Sequence, residues 1–218
     1  MSARDERRAR MLTKLAPHER PAWRAETETG DQLDASKLGG TPIAGAPIET
    51  VGLRMLVQLR GEDLPEELGF PGDHIVQLFW SRAHYGSMTR GPAGGDLAMA
   101  CFPRPSTIEA RDAKELPARR LGRFERFDDR PRWADLQNLG VRLNAKEMRI
   151  AQEERPEDRL KLGGWPDWIQ HADWPGDEWR LLLQLHGELA GVDFGDTGLG
   201  YLLWRPGSTD LAFGWSST

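Results

Sequence analysis

An internal repeat limits the folds that this chain can adopt more than any other feature. Three blocks recur in the same order and at nearly constant spacing: 37–42 (KLGGTP) with 161–166 (KLGGWP), 55–59 with 181–185, and 75–80 with 199–204. Self-similarity at a fixed distance is typical of a structural unit that occurs twice. We therefore interpret the chain as an internal duplication, with two pseudo-symmetric units that share one apolar interior.

Each copy of the repeat predicts the same local structure. The two glycines tolerate positive φ and the following proline fixes the backbone, so a turn is expected at Gly39 and Gly40 and again at Gly163 and Gly164. A short apolar run and a second apolar run follow each turn, separated by a stretch rich in glycine and aspartate. Two short apolar runs around a polar loop predict a β-hairpin in each copy.

The remaining segments complete a β-rich α+β fold with mainly antiparallel sheets and a few helices. We expect one domain over 1–218, with a first unit at about 21–105, a connecting segment at about 106–132 and a second unit at about 133–218. The connecting segment is rich in charge and proline and is predicted to be irregular. The other predicted elements are a helix that stops before Pro17, a strand at 21–28, helices at 133–139 and 144–154 with Asn144 as N-cap and Pro156 beyond the end, and a closing strand at 210–215.

Net charge and cysteine content restrict what the protein is expected to bind and where in the cell it is expected to be. The formal net charge is -5, and nucleic-acid binders usually show a basic footprint, so nucleic-acid binding is disfavoured. Cys101 is the one cysteine, which excludes an intrachain disulfide and fits a cytoplasmic protein. The basic N-terminus lacks the apolar core of a signal peptide, and no apolar run is long enough to span a bilayer.

Several stretches together resemble a known bacterial family. The sequence LGGWPDWIQ at 162–170, WRLLLQL at 179–185 and FGDTG at 194–198 is similar to signature stretches of the YwqG-like family, and the first half is similar at 39–42 and 58–59. The resemblance covers the chain from about Pro21 to its end. It implies an α+β fold with internal pseudo-symmetry, and because the family is a domain of unknown function, it implies no catalytic residues.

No pattern of catalytic or metal-ligating residues is recognisable, so we predict no catalytic residue, metal site or cofactor. No two of the five histidines have the i, i+4 spacing of ligands on one helix face, and a Gly-x-Ser-x-Gly elbow is absent. Asp193 and Asp196 flank glycines in a way that could offer oxygen ligands, but the turn lacks the closely spaced acids and final glutamate of a calcium loop. A turn stabilised by aspartate is the favoured interpretation.

Two further features have competing interpretations. Gln58 and Gln184 lie at matched positions in apolar strands, where a buried amide must be hydrogen-bonded. They either fix the Gly-Gly-x-Pro turn of their own unit, which we favour, or bind a ligand. A tryptophan-rich acidic stretch follows the second turn, in which aromatic side chains are either core or binding surface. The candidate binding residues are Trp165, Trp168, His171, Asp173, Trp174, Asp193 and Asp196, with Trp174 expected to be the more exposed tryptophan.

The functional hypothesis is a non-enzymatic protein-binding module. Its form would be an immunity-type or accessory protein that masks another bacterial protein, and an acidic binder suits a basic partner such as a toxin. The alternative is an enzyme or small-ligand-binding protein with a site in the groove between the two units. A structural domain without a dedicated site is the third interpretation.

Overall fold

The computed structural model describes residues 2–81, 86–91, 96–113, 116–154 and 159–218. The strands are β1 (Arg20–Thr29), β2 (Lys37–Leu38), β3 (Arg54–Arg60), β4 (His74–Trp80), β5 (Thr89–Arg90), β6 (Leu97–Pro103), β7 (Arg119–Asp129), β8 (Leu160–Gly163), β9 (Arg180–His186), β10 (Leu199–Trp204) and β11 (Leu211–Ser216). The helices are α1 (Ala3–Leu15), α2 (Trp133–Leu136), α3 (Ala145–Glu153) and α4 (Gly187–Ala190). The predicted β-rich α+β class is therefore confirmed.

All of these strands belong to one antiparallel sheet. Their order is β5-β11-β10-β9-β8-β1-β7-β2-β3-β4-β6, so the two longest strands, β1 and β7, form the centre. The expectation that 106–132 is irregular is wrong, because β7 lies within it. Its outward positions carry arginine and glutamate while Leu121 and Phe124 face the core, so its charge content masked the strand signal in the sequence.

The two central strands pair with strands that are not their neighbours in the chain. β1 pairs with β8, placing Trp23 opposite Leu162, and β7 pairs with β2, placing Arg119 opposite Leu38. The two central strands therefore occupy equivalent positions, one beside each Gly-Gly turn. Each half of the sheet consequently combines segments that are distant in the chain.

The two hairpins match in detail. β3 pairs with β4 and β9 pairs with β10, and each pairing shifts register at one residue, Leu56 in the first hairpin and Leu182 in the second. A shift of this kind, a β-bulge, bends a strand at a defined position. The bulges lie at positions that the sequence repeat aligns, so the repeated segments share their backbone irregularity. The duplication of the gene itself stays a hypothesis.

The sheet curls so that the loops and strands of its two halves meet over the inner face. Trp80 of the first hairpin contacts Phe194 with ring centroids 5.7 Å apart, and Phe70 contacts Trp204 at 5.2 Å. Both contacts are edge-to-face, the arrangement that the ring quadrupole favours. One large cluster of buried residues therefore takes side chains from both halves.

Helices α1 and α3 pack against each other on the outside of the sheet. Met11 and Leu15 of α1 form a buried cluster with Leu136 and Ile150. Helix α3 begins at the predicted N-cap, Asn144, whose side chain accepts hydrogen bonds in a capping box. Pro156 lies outside the described residues. No helix in the described ranges combines the length and the apolar character that a membrane crossing demands.

Candidate functional site

A group of buried charges lies beneath the second Gly-Gly turn. The ammonium of Lys161, which is 0% exposed, lies 3.0 Å from Asp129 Oδ2 and 3.3 Å from Asp167 Oδ1. Arg132 contacts the same two carboxylates, and both aspartates are only 2% exposed. Two acids and two bases thus neutralise one another in the interior, where an unpaired charge would be strongly destabilising.

Gln184 and Tyr201 hold the turn that carries Asp167. The amide oxygen of Gln184 accepts a hydrogen bond from the backbone N–H of Asp167 at 2.7 Å, and the hydroxyl of Tyr201 donates to the Asp167 carbonyl at 3.1 Å. In the first half, Gln58 accepts from the N–H of Ile43 at 3.0 Å, and the Ile43 carbonyl accepts from a side-chain amide on β4 at 2.9 Å. Both glutamines therefore contact the segment just after their own Gly-Gly-x-Pro turn.

The first half has a simpler charge pair at the matched lysine. Lys37 is completely buried and donates to Asp31 Oδ1 at 2.5 Å and to the Gln32 carbonyl at 3.0 Å. Burial alone would raise the pKa of the Asp31 carboxyl, but hydrogen bonds from Lys37 and Thr41 outweigh it and hold the pKa below its ordinary value. In both halves the acid also accepts a hydrogen bond from the backbone N–H just after the second glycine: Asp31 from Thr41 at 3.0 Å and Asp129 from Trp165 at 2.9 Å. The lysine–aspartate pair therefore recurs, although the two aspartates lie at different distances along the chain from their lysines.

The predicted tryptophan cluster is mostly interior. Trp165 and Trp168 are buried and Trp174 is half-buried, which makes Trp174 the more exposed of the three. The indole N–H groups of Trp168 and Trp174 donate to the same oxygen of Asp135, at 3.3 Å and 2.6 Å. Burial raises the pKa of the Asp135 carboxyl above its ordinary value, against these hydrogen bonds.

An arginine stacks on the aromatic cluster. The guanidinium of Arg20 lies 3.4 Å from the ring centroid of Trp165 and 5.8 Å from that of Trp174, which is a cation–π arrangement. Burial and the nearby Arg180 lower the pKa of Arg20 to about 10. The rings of Trp165 and Trp174 therefore already interact with the guanidinium of Arg20.

A cleft of about 430 Å³, the outer cleft, opens next to this cluster. It contains three of the candidate binding residues, Trp168, His171 and Asp173. Its other lining residues come from the segment around β5 and from the loop and strands of the second half: Gly86, Ser87, Met88, Gln170, Tyr201, Gly214, Trp215, Ser216 and Ser217. The outer cleft thus has aromatic rings at its base and polar side chains around them.

The acidic turn lies beside the outer cleft, next to Ser217 of its lining. The N–H of Gly195 donates to Asp193 Oδ1 at 2.8 Å, and the Asp196 carbonyl accepts from the N–H of Thr218 at 3.2 Å. A Cβ built on Gly195 would lie 2.7 Å from Ser217 Oγ, which shows how closely the turn approaches the cleft wall. Asp193 and Asp196 are exposed in this turn, next to the cleft that Asp173 lines.

Sequence reasoning missed several residues of this region. Asp135, Arg20 and Tyr201 were not among the candidates, although each contacts a candidate tryptophan or the turn next to it. The one available signal was the alternation in β10 and β11, which places Tyr201 and Ser216 on the same side. Asp135 and Arg20 gave no signal, because each reaches the cluster from a distant chain segment.

Within the described ranges, no three histidine, cysteine, aspartate or glutamate side chains are grouped so that they could hold a metal ion. His186 accepts a hydrogen bond from the N–H of Glu188 at the start of α4, and burial together with Arg159 lowers its pKa. Burial raises the pKa of the Cys101 thiol to about 11. His84 lies outside the described residues.

Comparison with protein families identifies the family of this chain. The family model of a domain of unknown function, DUF1963, matches residues 36–212. No curated protein gives a significant match. The matched stretch contains both Gly-Gly-x-Pro turns and both hairpins, while α1 and β1 precede it.

Proposed function

The chain belongs to the DUF1963 family of domains of unknown function, and we propose that it is a non-enzymatic module that binds a basic segment of another protein in the outer cleft. The observation that carries the proposal is the position of Asp173 at an aromatic cleft, with the exposed Asp193 and Asp196 in a turn that approaches Ser217 of the cleft wall. A lysine or arginine side chain combines an apolar stem with a cationic head, which suits rings below and carboxylates around them.

Contacts of the tryptophan-rich loop at 165–179 also support a cationic ligand in the outer cleft. Arg90 of β5 donates to the carbonyl of Pro175 and its guanidinium lies 5.8 Å from the ring of Trp179, while Arg20 stacks on Trp165. The tryptophans of this loop thus already accept guanidinium groups from the chain itself. A net charge of -5 would also accelerate encounter with a basic partner.

More specific proposals concern the role of the module, its partner, its branch of the family, its location and its origin. A module that covers a basic surface suits an immunity-type or accessory role, with a basic protein such as a toxin as the partner. The signature at 162–170 supports placement in the YwqG-like branch of bacterial proteins, and the lone Cys101 supports a cytoplasmic location. The aligned bulges and turns support an internal duplication.

The test uses a fluorescein-labelled hexa-arginine peptide as the probe and fluorescence anisotropy as the measurement. Asp173→Asn is expected to weaken binding about 5-fold, in line with about 1 kcal/mol for a partly exposed charge contact. Glu66→Gln removes the same charge from an exposed site in the other half and is the matched control. Equal weakening by both variants, or absence of binding to the unmodified protein, would overturn the proposal.

A further inference from the structure

A second cavity, the helix cleft, lies between the helices and the end of β7 and has a volume of about 230 Å³. Its walls are mostly apolar and come from α1, α2, α3 and the segments next to them: Met11, Leu15, Phe127, Pro131, Trp133, Leu136, Leu143, Met148 and Ala151. From this geometry we propose that the helix cleft binds a small apolar carboxylate. This site is independent of the outer cleft.

The size and the walls of the helix cleft fit a small apolar molecule. A protein cavity of about 150 Å³ lined by apolar side chains holds benzene, so this larger space accommodates one ring with a short chain. Met11 and Met148 are unbranched and polarizable, and such side chains adapt to ligands of irregular shape. Trp133 at the cleft is 47% exposed, so an occupant would cover aromatic surface that now faces water.

The polar end of the helix cleft is formed by arginines. Arg132 is 9% exposed, and its Nη2 makes no hydrogen bond with any described residue, although Asp129 Oδ1 lies 3.1 Å away without hydrogen-bond geometry. A buried donor without an acceptor is costly, so a ligand oxygen at this nitrogen would be favourable. Arg24 and Arg130 line the same cleft.

Arg132 Nη2 is the group in the helix cleft that favours a carboxylate over a neutral acceptor, because Arg130 is already paired with Glu19 at 2.9 Å. The three acids that line it are already engaged by cations: Asp128 by Arg126 at 3.1 Å, Asp129 by Lys161 at 3.0 Å and Glu154 by Arg8 at 2.7 Å. Hydrogen bonds from a guanidinium to a carboxylate are about twice as strong as those between neutral groups. The apolar part of the ligand would lie between α1 and α3, with its carboxylate toward Arg132.

The test compares two probes of matched size, 4-phenylbutyrate and 4-phenylbutan-1-ol, by isothermal titration calorimetry with the unmodified protein. The acid is expected to bind at least about 10-fold more tightly than the alcohol, because only the acid forms charge-assisted hydrogen bonds. The acid should also change the fluorescence of Trp133, and this change should disappear in Trp133→Phe. Equal affinity of the two probes, or binding of neither, would overturn the proposal.

A pair of variants on one helix locates the site. Ala151→Phe fills the helix cleft and is expected to abolish binding of 4-phenylbutyrate, whereas Lys146→Phe adds the same ring to the exposed face of α3 and should leave binding unchanged. Circular dichroism establishes that both variants fold. If Ala151→Phe does not fold, the comparison of acid with alcohol in the unmodified protein still decides the outcome. Binding that survives in a folded Ala151→Phe variant would also contradict the proposal.

Discussion

The side chain of Gln184 bonds Asp167 twice, accepting from its backbone N–H at 2.7 Å and donating to its Oδ2 at 2.8 Å. Asp167 in turn contacts Lys161 and Arg132, so one amide positions the carboxylate on which the buried charges depend. At the matched position, the hydrogen bonds of Gln58 go to neutral groups: a backbone N–H, two backbone carbonyls and the amide of a neighbouring glutamine. The buried glutamine thus bonds a charged group in the second half and neutral groups in the first half.

Replacing Gln184 by leucine is expected to lower the free energy of unfolding by about 3 kcal/mol. The change removes both hydrogen bonds to Asp167 in a fully buried site and leaves a backbone N–H without its acceptor, at about 1–3 kcal/mol for each unsatisfied group. Urea unfolding followed by circular dichroism measures the loss. Gln137→Leu changes an exposed glutamine and serves as the control. A Gln184→Leu variant as stable as this control would show that the amide does not hold the turn.

Asp31→Asn is expected to destabilise the protein by about 2–3 kcal/mol, below the range of about 3–5 kcal/mol for a fully buried pair, because Asp31 is partly exposed. The loss arises from Lys37, whose buried ammonium would lose its counter-charge and keep neutral acceptors such as the Gln32 carbonyl. Adding Lys37→Met should recover most of the stability. Glu28→Gln breaks the exposed pair with Arg120 and should cost less than about 1 kcal/mol in the same urea titration. Equal effects of Asp31→Asn and Glu28→Gln would contradict this account.

Gly164→Ala separates steric conflict from backbone strain when it is compared with Gly52→Ala. Both glycines have positive φ, 70° and 81°, so both variants carry strain of about 1–2 kcal/mol. A Cβ on Gly164 would also lie 2.5 Å from Asp129 Oδ2 and 2.8 Å from Ala22 Cβ, whereas the space around Gly52 is open. Thermal unfolding should therefore show a clearly larger loss for Gly164→Ala. Similar melting temperatures would mean that the turn moves away from β1 without cost.

The raised pKa of Asp135 predicts a pH-dependent difference between the unmodified protein and Asp135→Asn. The folded protein holds the Asp135 proton more tightly than the unfolded chain, whose carboxyl has the ordinary value of 3.8. Its contribution to stability is therefore present below that value and is lost as pH rises through the folded pKa. The amide introduced by Asp135→Asn cannot ionise, so stability measured relative to the variant should fall as pH rises from about 4 through the raised pKa of the folded state. A difference that is constant over this range, measured in urea at each pH, would contradict the burial of an ionisable group here.

Local patterns were enough to predict much of the fold. The hairpins, the Gly-Gly-x-Pro turns, the N-cap Asn144 and the closing strand follow from alternation and turn chemistry within a few residues, and the structure confirms these elements. Three of the candidate binding residues, Trp168, His171 and Asp173, line the outer cleft, and their role in binding stays a prediction. β7 was missed, because a partly exposed central strand with charged side chains has no clear apolar alternation.

The sequence by itself determined the repeated units, since glycine geometry, proline and apolar periodicity act over short distances along the chain. Only the tertiary structure decided that β1 lies beside β8, that Asp129 neutralises Lys161, and that Asp135 and Arg20 meet the tryptophans. These contacts join residues far apart in sequence, and they form because buried charges and indole N–H groups require partners from whichever segment the curled sheet brings near.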